Sequence, residues 1–125
     1  MQSKKILLVE DEEALADLAV FLLTRHGYEV HYAGNGLMAL HMLVRNRFDL
    51  VITDIKMPAM TGMELCAAIR GQQELAGTPV LGFSSVPETA VSSETVRFDG
   101  YVQKPFLIAE LLDQVRRLID TCERA

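Results

Sequence analysis

The sequence predicts an α/β fold in which helices cover both faces of a parallel sheet, a three-layer sandwich. Two observations predict it. Five short apolar runs alternate strictly with five helix-patterned stretches. Two of the runs, Leu50-Val51-Ile52 and Val80-Leu81-Gly82-Phe83, are apolar without interruption. Continuity of that kind suits strands buried on both faces, as in an all-parallel sheet. Strand–helix alternation with right-handed crossovers then leads to the three-layer arrangement.

The strand-like runs cover about 5–9, 29–32, 49–53, 79–83 and 100–103. After the first, Ala14, Leu15, Leu18, Ala19, Leu22 and Leu23 keep a three-to-four spacing, and His26-Gly27 marks the stop. The turn Gly34-Asn35-Gly36 opens a second helix carrying Leu37, Leu40, Met42 and Leu43. Met63, Leu65, Cys66 and Ile69 give a third. The fourth, at 87–97, is the weakest: its Ser, Thr and Val residues are poor helix formers, so a short or mobile helix is expected. Leu107, Leu111, Leu112, Val115, Leu118 and Ile119 give the last.

A chain of 125 residues, half of them hydrophobic, fits one domain spanning 1–125 with a core that needs no staples. Its net charge of -5 disfavours direct nucleic-acid binding, which rewards clustered Lys and Arg. Only Lys4-Lys5 and Arg116-Arg117 are adjacent basic pairs, and both read as solvated surface. Cys66 and Cys122 lie far apart with no close Cys/His spacing, so reduced thiols are expected rather than a metal knuckle. The first apolar run is too short for a signal peptide or a membrane span, so the expected compartment is the cytoplasm, without membrane association.

The chemistry gathers at strand ends. Glu10 and Asp11 follow the first run, Asp54 ends the third and Lys104 follows the fifth. In a parallel sheet these strands finish at one edge, so three carboxylates and one ammonium converge in a crevice. Such a cluster is unfavourable unless it takes a cation and an anion together. Asp54 can act as a nucleophile that forms an acyl phosphate, provided a divalent cation relieves its repulsion from the phosphoryl oxygens. Asp11, with Glu10 beside it, is the natural holder, and oxygen-only ligands favour Mg²⁺. Lys104 can grip a phosphoryl oxygen, and Ser84 offers a hydroxyl to another. Each residue alone has an ordinary structural reading: a helix-start charge cluster, a Lys-Pro turn, a capping serine. Their joint order and strand-end placement do not.

With these motifs in hand, the chain resembles the receiver domain of two-component response regulators from about Lys4 to Cys122. Val9-Glu10-Asp11-Glu12, Ala33-Gly34-Asn35-Gly36, Asp49 through Asp54, Met57-Pro58, Gly62 and Lys104-Pro105-Phe106 carry the likeness. It implies a doubly wound, flavodoxin-like (βα)5 sandwich with strand order 2-1-3-4-5. It implies that Asp54 accepts a phosphoryl group from a phosphohistidine on a histidine kinase or histidine phosphotransfer protein. Asp11, Asp54 and the backbone carbonyl of Lys56 would hold Mg²⁺, with Glu10 acting through water. Ser84 would be the switch hydroxyl and Tyr101 the switch aromatic, relaying the change to the face of the fourth helix, fifth strand and last helix. There the family docks effectors or forms homodimers.

The expected product is a signalling switch with limited self-phosphorylation and self-dephosphorylation, rather than a multiple-turnover enzyme. An aspartyl-phosphate phosphohydrolase would carry a second acid two residues after the nucleophile, where this chain has Lys56. A flavin-binding reading fails because Glu10-Asp11-Glu12-Glu13 would repel a phosphate. The remaining alternative is a phosphorylation-independent interaction module that keeps the fold.

The chain departs from the family pattern at three places. The stretch between Ser84 and Lys104 is short, and Arg97-Phe98-Asp99-Gly100 replaces a small, alanine-rich approach to the fifth strand, with Phe98 expected in the core. Ser85 stands where a small Ala or Gly is usual; its hydroxyl either narrows access to Asp54 or hydrogen-bonds the phosphate, and slow acceptance of small phosphodonors is expected. Ser85→Ala should therefore accept phosphoryl groups from acetyl phosphate faster than wild type; an unchanged rate would rule out the steric reading.

Overall fold

A computed structural model describes residues 3–55, 60–84 and 98–124, with side chains placed through Ile119. Its elements in order are β1 (Lys5–Val9), α1 (Glu13–Arg25), β2 (Glu29–Ala33), α2 (Gly36–Arg45), β3 (Leu50–Asp54), α3 (Gly62–Gly71), β4 (Val80–Ser84), β5 (Gly100–Gln103) and α4 (Ile108–Arg124). All strand pairs are parallel, in the order β2-β1-β3-β4-β5. This is the expected doubly wound, flavodoxin-like sheet. The expected helix at 87–97 lies outside the described residues.

The strands alternate between two apolar layers, as a two-residue period requires. Ile6, Leu8, Leu50, Ile52, Leu81, Phe83 and Val102 pack against Ala16, Ala19 and Leu23 of α1 and Leu111, Val115 and Leu118 of α4. Leu7, Val9, Val51 and Val80 face the other way, against Ala39 and Leu43 of α2 and Leu65, Cys66 and Ile69 of α3. Every residue of β3 and β4 is buried, which is why their runs are uninterrupted in sequence. The edge strands β2 and β5 are more polar and more exposed.

Strand limits differ slightly from expectation. β3 begins at Leu50 and β4 at Val80, each one residue late, and β2 extends to Ala33. Asp49, just before β3, pairs doubly with Lys5: its N–H donates to the Lys5 carbonyl and its carboxylate accepts the Lys5 N–H, both at 2.8 Å. Pro79 has no N–H to pair, though its carbonyl accepts from Val51 at 3.0 Å.

Helix boundaries follow local chemistry. Gly27 adopts φ 94°, the left-handed conformation that ends α1, as His26-Gly27 predicted. Asn35 caps α2 by accepting the Met38 N–H at 2.9 Å. Thr61 and Glu64 form a reciprocal capping box at the start of α3. Leu18, Leu37 and Leu107, which fit the helical spacing, are exposed. Leu107 precedes α4 and only its carbonyl serves the helix, accepting from Leu111. Phe98 packs at the edge of the α2–α3 layer, as expected, together with Met60 and Met63. Cys66 is buried, and burial raises the pKa of its thiol. Among the described residues no helix is long and apolar enough to cross a membrane.

One contact couples the fold directly to the crevice. A Cβ on Gly62 would lie 2.1 Å from the Asp54 carbonyl oxygen and 2.9 Å from Ile55 Cα. The neighbouring atoms are main chain and cannot rotate aside, so only glycine lets α3 start this close to the end of β3. Gly62→Ala should lower stability by roughly 1–3 kcal/mol, the usual range for overpacking. Urea denaturation reads this directly, and a wild-type midpoint would show that the strand end yields freely.

Candidate functional site

The order β2-β1-β3 reverses the direction of winding between β1 and β3, and a crevice opens where that happens, beyond the C-terminal strand ends. Register decides what fills it. Val9 pairs with Thr53, so Glu10 stands level with Asp54. Asp54 pairs with Phe83 and Ser84 with Gln103, so Ser84 and Lys104 follow at the same edge.

Glu10 is completely buried, and Asp54 is only 7% exposed. Lys104 bridges them: its ammonium lies 3.2 Å from both carboxylate oxygens of Glu10 and 3.2 Å from Oδ2 of Asp54. Oxygens of Glu10, Asp11 and Asp54 approach within 4.8 Å of one another, with Asp11 on the exposed side. The structure thus brings together four of the residues expected to act in concert. Lys56 lies outside the described residues, as do Met57, Pro58 and Ser85.

Charge in this space is unevenly tolerated. Burial, then the Asp54 carboxylate, raises the Glu10 pKa to about 7 from 4.5, despite the opposing pull of Lys104. Burial works against the Lys104 ammonium, but Glu10 and Asp54 together outweigh it and lift its pKa above the usual lysine value. The ammonium also lies 4.9 Å from the centre of the Phe83 ring, which itself meets Phe106 edge-on. One cation for two buried carboxylates leaves the crevice electron-rich. A hard dication on oxygen ligands fits that donor set.

Ser84 is 1% exposed, and its carbonyl accepts the Lys104 N–H at 2.7 Å. The Lys104–Pro105 peptide that follows is cis. Tyr101 is half-buried and pairs with Gly82, where an added Cβ would meet the tyrosine ring at 3.1 Å. The aromatic therefore lies over a glycine two residues before Ser84. None of the three histidines joins the crevice set: His26 contacts the Leu22 carbonyl at the end of α1, and His31 pairs with Glu29 on β2.

The sequence reading passed over two residues that shape the site. Tyr32, at the end of β2, donates its phenol hydroxyl to the Glu10 carbonyl at 2.7 Å. Thr53, buried beneath Asp54, donates to the Asp54 carbonyl at 2.9 Å. Thr53 could have been noticed as the one polar residue in the apolar run that leads to Asp54. An edge-strand tyrosine gives no such signal.

The raised Glu10 pKa sets a pH dependence in cation-free protein. From pH 4.5 to about 7 the unfolded chain has lost the Glu10 proton while the folded chain keeps it. The native state binds more protons there, so stability falls as pH rises through that window. The Lys104 shift acts only at far higher pH. Glu10→Gln should flatten this part of the profile in urea denaturation with a chelator present; an equally steep slope in the variant would place its origin elsewhere.

The sequence of residues 6–116 matches the family described as the response regulator receiver domain. Over 122 residues the chain is 37% identical to a probable transcriptional regulatory protein of Picosynechococcus, covering 92% of this chain and 49% of that protein. The chain spans about half the length of the curated relatives it matches. The chemotaxis protein CheY4 of Vibrio cholerae superposes with a TM-score of 0.85 at 34% identity, over 93% of this chain and 98% of that one. The receiver domain of the sensor histidine kinase PA1611 of Pseudomonas aeruginosa, solved with magnesium in its active-site cleft, gives 0.87 at 26% identity, over 94% and 98%. With this match along the sequence and this agreement in fold, the chain belongs to the response regulator receiver domain family of two-component signalling systems.

Proposed function

We propose that residues 1–125 form a single receiver unit, switched by phosphorylation of Asp54. The observation that carries this reading is the Lys104 ammonium shared at 3.2 Å between Glu10 and Asp54, with Asp11 at the mouth. A module that only binds partners through its surface has no use for three converging carboxylates around a partly buried lysine. Glu10, Asp11 and Asp54, with the Lys56 carbonyl, would hold Mg²⁺. Bound there, the ion neutralises charge on the transferring phosphoryl oxygens.

The remaining chemistry is done by side chains of this chain. An Asp54 carboxylate oxygen attacks phosphorus as the phosphorus–nitrogen bond of a phosphohistidine breaks, and the imidazole leaves on the donor protein. Lys104 exchanges its contact with Asp54 for a phosphoryl oxygen, which keeps the ammonium paired throughout. Ser84 donates its hydroxyl to another oxygen. Tyr101 then turns into the space beside β4, and the change reaches the surface formed by the segment before β5, by β5 itself and by α4. Converting such a switch from mostly off to mostly on takes about 5.5 kcal/mol of differential stabilisation. New charge-assisted hydrogen bonds from Lys104 and Ser84 to a dianion supply much of it.

The donor is a histidine kinase or a histidine phosphotransfer protein. The output passes to an effector protein or to a further domain of a longer regulator, through that surface or through a homodimer formed by it. Consistent with this role, the relatives include a probable transcriptional regulator, and the neighbours a receiver domain within a sensor kinase. The chain acts in the cytoplasm, binds no nucleic acid itself, and turns over only its own phosphoryl group.

Intact mass after incubation with Mg²⁺ and a phosphorylated donor tests the reading. Wild type should gain one phosphoryl group, and Asp54→Asn or omission of Mg²⁺ should abolish the gain. No gain in wild type with several competent donors would leave the phosphorylation-independent module as the better account.

A further inference from the structure

Glu10 is tied down at each of its polar groups. Its N–H donates to the Ala33 carbonyl at 3.2 Å, and its carboxylate takes the Lys104 ammonium. Its carbonyl accepts the Tyr32 phenol at 2.7 Å, across 22 residues of sequence. The Tyr32 bond alone comes from a neutral side chain whose donor atom can be deleted without touching the rest of the site.

That carbonyl matters because of what shares its peptide plane. The Glu10 oxygen and the Asp11 nitrogen belong to one rigid unit, so holding one fixes the other. Asp11 has no side-chain hydrogen bond among the described residues, and it is exposed. The point from which that carboxylate starts is therefore set by main chain, which is held at the Glu10 carbonyl by Tyr32 and, one residue on, at the Glu12 N–H by the Glu10 carboxylate at 3.4 Å.

We propose that Tyr32 is a positioning residue for the cation site: its hydroxyl fixes the Glu10–Asp11 peptide and so aims the Asp11 carboxylate at Asp54. This rests on the Mg²⁺ site proposed above. The bond is not required to place β2, because five residue pairs from Lys5–Glu29 to Val9–Ala33 already lock that strand to β1. Nor is the phenol a core element, since Tyr32 is 40% exposed. Burial and the surrounding carboxylates, Glu13, Glu10, Asp11 and Asp17, raise the phenol pKa and keep it a donor at neutral pH. An oxygen that orients a ligand-bearing peptide preorganises the site in the way outer-shell partners of metal ligands do.

The test compares wild type, Tyr32→Phe and Asp11→Asn by Mg²⁺ calorimetry, with amide hydrogen exchange and thermal unfolding in chelator. Tyr32→Phe should weaken Mg²⁺ binding about three- to ten-fold, the scale of one lost neutral hydrogen bond behind a ligand. Without metal it should exchange the Asp11 and Glu12 amides faster while its melting temperature stays near wild type. With acetyl phosphate, the Mg²⁺ concentration for half-maximal rate should rise, and the rate at saturating Mg²⁺ should return to that of wild type. Equal Mg²⁺ affinity in wild type and Tyr32→Phe overturns the proposal and leaves the cation site standing, as does a lower melting temperature with unchanged affinity. Wild type that fails to bind Mg²⁺ overturns the cation site itself, and the role of Tyr32 with it.

Discussion

A fully buried glutamate beside a nearly buried aspartate is the constraint on which the structure turns. Two carboxylates desolvated together repel, and neither can leave, because each is fixed to the end of an adjacent central strand. One ammonium resolves the conflict, and only in part: the Glu10 pKa remains high with Lys104 in contact. Everything that places Lys104 is thereby coupled to everything that places Glu10 and Asp54. Within the protein itself the crevice is held in balance by one lysine shared between the two carboxylates.

Placement of that lysine begins at the opposite end of β5. Asp99 accepts hydrogen bonds from the Val80 N–H at 2.7 Å and from Arg70, while Arg70 also reaches the Ala76 and Thr78 carbonyls. This clamp joins the end of α3, the approach to β4 and the start of β5. Register then carries β5 up to Gln103 opposite Ser84, and the Lys104 N–H closes on the Ser84 carbonyl. At Gly100 the strand passes beside the side-chain ends of Gln114, Arg117 and Leu81. A short four-residue edge strand is thus fixed at both ends, which suits a side chain that must meet two partners at once.

Sequence alone made the sheet legible because burial on both faces forces unbroken apolar runs, and β3 and β4 show them. The ends of β1, β3 and β5 were legible for a related reason: Glu10, Asp11, Asp54 and Lys104 interrupt or follow apolar runs where charge is otherwise unexplained. Less could be read from helix faces. Leu18, Leu37 and Leu107 fit a helical spacing yet are exposed, because α1 buries Ala16, Ala19 and Leu23 and α2 buries Ala39 and Leu43. Close approach of strands and helices favours small residues there, and alanine carries a weak pattern signal. Tyr32 and the Arg70–Asp99 pair were illegible because their meaning lies in partners 22 and 29 residues away.

The same geometry bears on how a chemical event at Asp54 could reach the surface. On the proposed chemistry, a phosphoryl group at Asp54 draws Lys104 away from Asp54 Oδ2, and the Ser84–Lys104 main-chain bond links that movement to both β4 and β5. Tyr101 precedes Lys104 by three residues on β5, and its ring rests on Gly82, two residues before Ser84 on β4. The aromatic thus spans the two strands whose ends respond to the phosphoryl group. Gly82 leaves the ring without a side chain beneath it, and an added Cβ there would meet the ring at 3.1 Å. Phe98 borders the same glycine, since a Cβ added there would meet its ring at 3.2 Å, and this places a second aromatic near the point where β5 begins. Both aromatics border the face of Gly82 where a side chain would otherwise stand. On the proposed chemistry, that surface lies between the crevice and the approach to β5.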